Sequence, residues 1–525
     1  MTNAKSFSIA AHPRAAPAVV VIGAGVGGLA AALWLASSGA DVTVLERAET
    51  VGGKLRCLSV GGASIDVGPT VFTMRPVFEE LFAAAGASLD TELPTSPAHI
   101  LARHAWAPDE TLDLWADIDR SVDAIARFAG PDEGRRFRGF VDRAARVYRM
   151  LEQPFIRSSA PSIVGLVRAI GPTRDLFGIS PFTSLWTALG AHFKDARLRQ
   201  LFGRYATYCG SSPFQCPATL MLVAHVEQQG VWLIEGGMHR LATAMARVAT
   251  RLGVRIRLNT EVDRICIESG RAAGVVLATG ERLSANALVC NADVAALAAG
   301  RFGAAASRAA AAPVRRQRSL SALTTALHVE TDGFALQRHN VFFSRDYRAE
   351  FDDLTRVRRL PRDPTVYVCA QDRDEHGARR PGTNAERLFF IVNAPPDGDI
   401  SSFGASEMAQ CEARTLQTLE RCGLRVAMRS GCARVTTPND FERLFPATGG
   451  ALYGAASHGW RASFRRPGMR SRIPGLYLCG GSTHPGPGLP MAAISGRMTA
   501  ACLIEDWAST PRWRRTAIAG GMSTA

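Results

Sequence analysis

Three observations predict an α/β protein whose nucleotide-binding, Rossmann-like domain is assembled from discontinuous stretches of chain. An apolar strand, a glycine-rich turn and a small-residue helix run from Ala18 to Gly39. A second strand, Asp41 to Glu46, ends on a carboxylate. Near the far end, residues 473–504 repeat the order of strand, glycine-rich loop and helix. The intervening chain predicts a mixed sheet with helical cover, large enough to enclose an apolar ligand.

The composition is consistent with this. With 525 residues, 47% hydrophobic and 21% charged, the chain can bury large cores and is neither a coiled coil, a collagen nor a disordered polymer. The net charge of +14 attracts polyanions without choosing among them. No recognition helix, zinc-finger spacing or basic–aromatic ladder accompanies it, so nucleic acid is not an expected partner. The 11 cysteines include no CxxC pair and no metal-ligand spacing, which reads as free thiols in a reducing compartment and predicts no metal.

Residues 1–17 contain no Asp or Glu and no long apolar stretch. They are expected to be a flexible extension, with an organellar transit segment as the alternative. The uncharged run from Ala18 to Ala36 would suit a membrane span by hydropathy alone. Its interior reads better as a strand (Ala18 to Ile22), a tight turn and a helix.

That turn carries Gly23, Gly25 and Gly28 in the GxGxxG spacing. The first glycine permits the turn, the second lets backbone approach a pyrophosphate, and the third lets helix and strand pack closely. Glu46, ending the second strand, is placed to accept both hydroxyl hydrogens of an adenosine ribose. These residues leave NAD and FAD open. The following Val51-Gly52-Gly53-Lys54-Leu55-Arg56 supplies two flexible residues and two cations, an added anchor for a pyrophosphate.

Further along, Met238 to Leu252 predicts a helix, Val254 to Leu258 an alternating strand, Ile265–Ile267 with Gly274–Leu277 a hairpin, and Ala287 to Ala292 a buried strand. Strands are also expected at Ser321–Val329, Asn340–Phe343, Thr365–Cys369 and Leu388–Val392, and residues 101–225 read as mainly helical and rich in aromatics. The expected organisation is an extension (1–17), a nucleotide domain in three parts (18–100, 226–300 and 441–525), a helical substrate-facing region (101–225) and a substrate-domain sheet (301–440). In the last part, Gly480, Gly481 and the helix opening near Met491 can direct backbone amides at an electron-rich or anionic group.

The Gly-Gly-x-x-Arg loop resembles that of the flavoproteins grouped as amine oxidases and carotenoid desaturases. Gly68-Pro69-Thr70-Val71-Phe72-Thr73-Met74-Arg75, the Gly236-Gly237-Met238 turn, His458-Gly459-Trp460, Phe464-Arg465-Arg466-Pro467 and Gly480-Gly481-Ser482-Thr483-His484-Pro485-Gly486 are similar to the bacterial carotenoid desaturases over nearly the whole chain beyond residue 18. Phytoene desaturases continue Gly-Pro-Thr-Val with Asp-Pro and follow the last motif's proline with Gly-Val. Here Thr73-Met74-Arg75 and Met491-Ala492-Ala493 stand there instead, which favours the hydroxycarotenoid branch.

The resemblance implies FAD as cofactor and desaturation at C-3,4 of a hydroxylated acyclic carotenoid, with phytoene desaturation or another reaction of the family as the alternative. It further implies a cytoplasmic protein on the surface of the inner or photosynthetic membrane, passing electrons to a quinone, oxygen or another acceptor. On it, Glu46 meets the ribose, the backbone at Val262 meets adenine, Arg56 and Thr70 lie near the pyrophosphate or flavin edge, and Gly480, Gly481 and Met491 face the flavin.

A proton acceptor is needed if hydride leaves first. His484, in the glycine loop, is one candidate, against a structural hydrogen bond. His458, beside Trp460, is the other, against an aromatic tunnel wall with a bonded imidazole. His192 and His225 are expected to serve packing or caps. Arg461, Arg465, Arg466 and Arg470 around Phe464 form a patch that could seat the protein on anionic lipid. A terminal substrate hydroxyl should meet one polar group in the tunnel, expected at its closed end.

Overall fold

The computed structural model describes residues 16–170, 182–311, 314–379, 384–401 and 403–509. The expected N-terminal extension, apart from its last two residues, and the C-terminal tail beyond Ser509 lie outside the described residues. The first strand β1 (Ala18–Ile22) leads into helix α1 (Val26–Ser37) and returns as β2 (Asp41–Leu45). Three later segments join them: β3 (Arg255–Arg257), β4 (Ala287–Cys290) and β5 (Leu476–Leu478). Together they form a five-stranded sheet in the order β5-β4-β1-β2-β3, every pairing parallel.

Both faces of this sheet are covered at its centre, where β1 and β4 read as continuous apolar runs, while the edge strand β3 keeps the alternation of Arg-Ile-Arg. Val19, Val21, Val42 and Val44 pack toward α1 and helix α2 (Leu489–Ser509). Val20, Ile22 and Leu45 pack on a three-stranded antiparallel sheet of Val262–Glu268, Arg271–Leu277 and Arg282–Ser284. Helices α1 and α2 approach closely enough that a Cβ on Gly496 would lie 2.2 Å from the Gly27 carbonyl oxygen. The apolar run from Ala18 to Ala36 is thus a strand, a turn and a buried helix. Among the described residues no helix is long and apolar enough to cross a membrane.

A seven-stranded mixed sheet forms the second layer, in the order Ala433–Thr436, Ser321–Val329, Glu386–Ala394, Val366–Ala370, His339–Phe342, Ile100–Ala107 and Glu110–Trp115. The last two strands correct the expectation of a helical region from residue 101 onward. Their sequence, ILARHAWA, does not alternate because residues on both faces of the strand are buried, among them His104 and Ala105. Helices follow at Pro131–Leu151, Leu185–His192 and Ala196–Gly203, joined by Phe137 and Phe193 stacked on Phe202 and by Phe140 set edge-on to Phe193 and tilted against Phe202.

Candidate active site

A cavity of about 940 Å³ runs between the two sheets, bordered at one end by the β1–α1 turn and at the other by the aromatic helical layer. Gly23, Gly25, Glu46, Arg56, Thr70, Val262, Gly480, Gly481 and Met491 all line it. Gly28 does not, and serves packing: a Cβ there would stand 2.1 Å from the Gly23 carbonyl oxygen. The strand–loop–helix units of the two chain ends therefore meet at one place, as the sequence predicts.

The contact between them is held by a side chain that sequence reading missed. Asn291, just beyond β4, donates from Nδ2 to the Gly23 carbonyl at 3.3 Å. A Cβ on Gly480, whose φ is +106°, would come within 2.7 Å of its Oδ1. Thr483 Oγ1 donates to the Gly480 carbonyl at 2.7 Å, and the Gly480 amide donates to Ser495 Oγ of α2 at 3.2 Å. Glycine-rich backbone from both ends is thus fixed around an open cradle.

The polar groups of the cradle fit a dinucleotide. Glu46 accepts from the Ala24 amide at 2.7 Å and the Ala48 amide at 2.9 Å, one bond to each oxygen. A carboxylate has about four acceptor sites, so two remain for ribose hydroxyls. Arg56 Nη2 is buried without a hydrogen-bond partner. Lys54 is buried in the same wall, donates to the Leu452 carbonyl at 2.6 Å, and has its pKa pulled down by burial against the opposing charge of Asp293. An unpaired guanidinium next to a desolvated ammonium matches the charge of a pyrophosphate.

Beyond the cradle the cavity is walled by hydrocarbon and rings, including Leu166, Val223, Val226, Phe389, Ile391, Trp460 and Phe464. Set among these is a buried polar group. Tyr208 donates to Glu227 at 2.9 Å and Tyr205 donates to the same carboxylate. Thr70 Oγ1 and Tyr367 Oη are 2.7 Å apart, and His339 Nδ1 is 2.7 Å from the same phenol oxygen. Burial holds His339 near pKa 3, hence neutral.

Residues 26–504 match the family described as flavin containing amine oxidoreductase. The chain belongs to this family. FAD is therefore its cofactor. Over 518 residues the chain is 53% identical to the hydroxyneurosporene desaturase of Rubrivivax gelatinosus, covering 98% of each. It is 28% identical to the 1-hydroxycarotenoid 3,4-desaturase of a Flavobacterium, covering 92% of this chain and 98% of the other. Among solved structures, an oxidoreductase from Methanosarcina mazei shares the fold with a TM-score of 0.59 at 16% identity, covering 93% of this chain and 100% of that one.

The two imidazoles singled out from the sequence are not among the residues that line the cavity. His458 Nε2 accepts from the Ser212 amide at 3.0 Å, so its basic lone pair is in use. His484 is 1% exposed and its Nε2 bonds to the Phe155 carbonyl at 2.8 Å. Burial lowers both pKa values to about 4. His484 thereby ties the glycine-rich loop to the segment at Phe155, and His458 is bonded to the Ser212 backbone while its neighbour Trp460 lines the cavity. His192 packs edge-on against Phe140 and His225 against Tyr148, in the packing roles expected of them.

The cationic patch is also smaller than its sequence suggests. Arg466 is buried and donates to the carbonyls of Tyr453 at 3.2 Å, Ala455 at 2.6 Å and Gly481 at 3.4 Å, so it fastens the glycine-rich loop. Arg470 is paired with Glu505 and Asp506. Arg461, stacked over Trp460, and Arg465 remain exposed.

Proposed function

We propose that this protein desaturates a hydroxylated acyclic carotenoid of the 1-hydroxyneurosporene type at C-3,4, with FAD as oxidant. The observation carrying the reading is the continuity of one cavity from a dinucleotide cradle into a lining of hydrocarbon and rings. A polyene threads such a tunnel without desolvating charge, and only its reacting end needs polar company. FAD supplies the hydride acceptor, and the second hydrogen is lost as a proton.

The chain's own contribution is position and exclusion of water. Asn291, Thr483, Ser495 and Arg466 fix the flavin loop, while Phe389 and Ile391 floor the tunnel. Among the cavity-lining groups, the Glu227 carboxylate is placed to take up the proton, because it faces the cavity and is oriented by two phenols.

We also propose that substrate arrives from a lipid surface and that a quinone, oxygen or another acceptor reoxidises the flavin. Support for the first comes from exposed apolar groups beside the cavity. Ile163 and Val164 are 42% and 71% exposed on the helix that carries cavity-lining Leu166. Phe182, 72% exposed, packs edge-on against Trp460, over which Arg461 stacks. Rings and a cation at an apolar corner suit a headgroup boundary. The reaction is tested by incubating the FAD-loaded protein with 1-hydroxyneurosporene in liposomes and weighing the product: loss of two hydrogens at C-3,4 supports it, and unchanged substrate beside converted phytoene refutes it.

A further inference from the structure

Arg204 lines the cavity, is not exposed as the cavity-lining Arg47 and Arg301 are, and has no role in the dinucleotide cradle. It opens the short helix Arg204–Cys209, lies deep in the fold and lines the cavity. A guanidinium presents five N–H donors. Among the described residues none of those of Arg204 makes a hydrogen bond or an ion pair. Its neighbours are ring faces, Tyr208 at 5.2 Å and Tyr367 at 5.5 Å. Glu227, whose charge acts on Arg204, is itself bonded to two phenols.

A second unmet group stands nearby. Thr324 Oγ1 is buried without a partner, on a residue that also lines the cavity. Sheet register places Thr324 and Tyr367 on either side of Ile391, on one rung of the sheet. A charged donor and a free hydroxyl therefore border the same stretch of otherwise apolar wall.

On the carotenoid reading of the site, on which this inference rests, the substrate brings a single oxygen. In a 1-hydroxycarotenoid that oxygen is three bonds from C-3, about 4 Å at most on ordinary bond lengths. Whatever holds the hydroxyl must therefore stand beside the reacting carbons rather than at a remote tunnel end. Arg204 meets that condition on the proposed placement of the flavin, because its ring partner Tyr367 is bonded to Thr70, a cavity-lining residue of the loop expected beside the flavin edge.

We propose that Arg204 is the residue that recognises the terminal hydroxyl, donating to its oxygen, with Thr324 Oγ1 on the same rung receiving the hydroxyl's hydrogen. A substrate without the hydroxyl leaves the guanidinium unpaired in an apolar wall. That penalty, rather than shape, sets the preference for hydroxylated carotenoids.

The test compares binding, so that it does not depend on turnover. Chemically reduced holoenzyme, which cannot accept hydride, is titrated in detergent with 1-hydroxyneurosporene and with neurosporene, following quenching of protein fluorescence. The parent protein should prefer the hydroxylated compound, and Arg204→Met should lower that preference by about 10- to 100-fold, the value of one charge-assisted hydrogen bond. Arg204→Lys should restore part of it, and covers the case in which the methionine variant fails to fold.

Loss of FAD from folded variants would assign Arg204 to the cofactor and overturn the proposal, as would equal weakening for both carotenoids or an unchanged ratio. If the parent protein oxidises neither compound when its flavin is oxidised, the carotenoid reading itself falls. If it oxidises 1-hydroxyneurosporene while the Arg204 variants keep the parent's binding ratio, only the assignment of Arg204 falls.

Discussion

Replacing Glu350 by glutamine should remove a pH dependence of stability that the fold builds in. Glu350 is 2% exposed, behind the cavity-lining Tyr347 and Thr365. Its Oε2 accepts from Ser344 Oγ at 2.7 Å and Thr365 Oγ1 at 2.6 Å, while Oε1 is buried without a partner. Burial outweighs those two bonds and pushes the carboxyl up from 4.5 to about 7. At 1.36 kcal/mol per unit this amounts to about 3 kcal/mol. The folded state binds this proton more tightly than the unfolded chain, so the Glu350 contribution to stability is fully present below about pH 4.5. It is lost as pH rises through about 7.

A glutamine keeps an acceptor for Ser344 and Thr365 and cannot ionise, so the variant should gain on the parent by about 3 kcal/mol between those limits. Urea unfolding of the FAD-loaded proteins from about pH 4.5 to about pH 8 measures the difference, with all other titrations common to both. Parallel pH profiles for parent and Glu350→Gln would refute the reasoning.

Other outcomes follow from the cradle. Gly28→Ala should give protein with a flavin-to-protein absorbance ratio far below that of the parent, because the methyl meets the Gly23 carbonyl at 2.1 Å. Glu46→Ala removes the ribose acceptor and leaves the Ala24 and Ala48 amides unbonded; FAD titration of apoprotein should show a loss of about two orders of magnitude, the worth of one to two charged hydrogen bonds. Arg466→Leu should weaken FAD retention without moving substrate preference, since its partners are loop carbonyls. Folded, FAD-retaining His458→Ala and His484→Ala should reduce flavin within about tenfold of the parent rate in a single turnover, short of the ~10²- to 10⁴-fold expected of a lost general base.

How far the sequence carries depends on how local each signal is. The Rossmann-like sheet was legible because its strands are short apolar runs next to glycine turns, and the cradle residues Gly23, Gly25 and Glu46 lie within one contiguous motif. Ser321–Val329 reads as a strand from end to end. The Ile100–Ala107 strand was hidden by burial on both faces, which erases alternation. Arg204 reads as one more arginine in a basic chain; only folding sets it between Tyr208 and Tyr367 and denies it an anion. His484 erred the other way. Its motif reaches the flavin loop, yet the imidazole turns to the Phe155 carbonyl, a contact no spacing reveals. Arg466 likewise joins the apparent surface patch in sequence and the loop carbonyls in space.

One cavity should bring a flavin and a hydroxylated polyene together. Anaerobic rapid mixing of FAD-loaded protein with 1-hydroxyneurosporene, following flavin and carotenoid absorbance together, tests it most directly. Bleaching of the oxidised flavin should be matched one for one by a red-shifted, longer polyene. Flavin that stays oxidised with this substrate, but bleaches with phytoene, would contradict it.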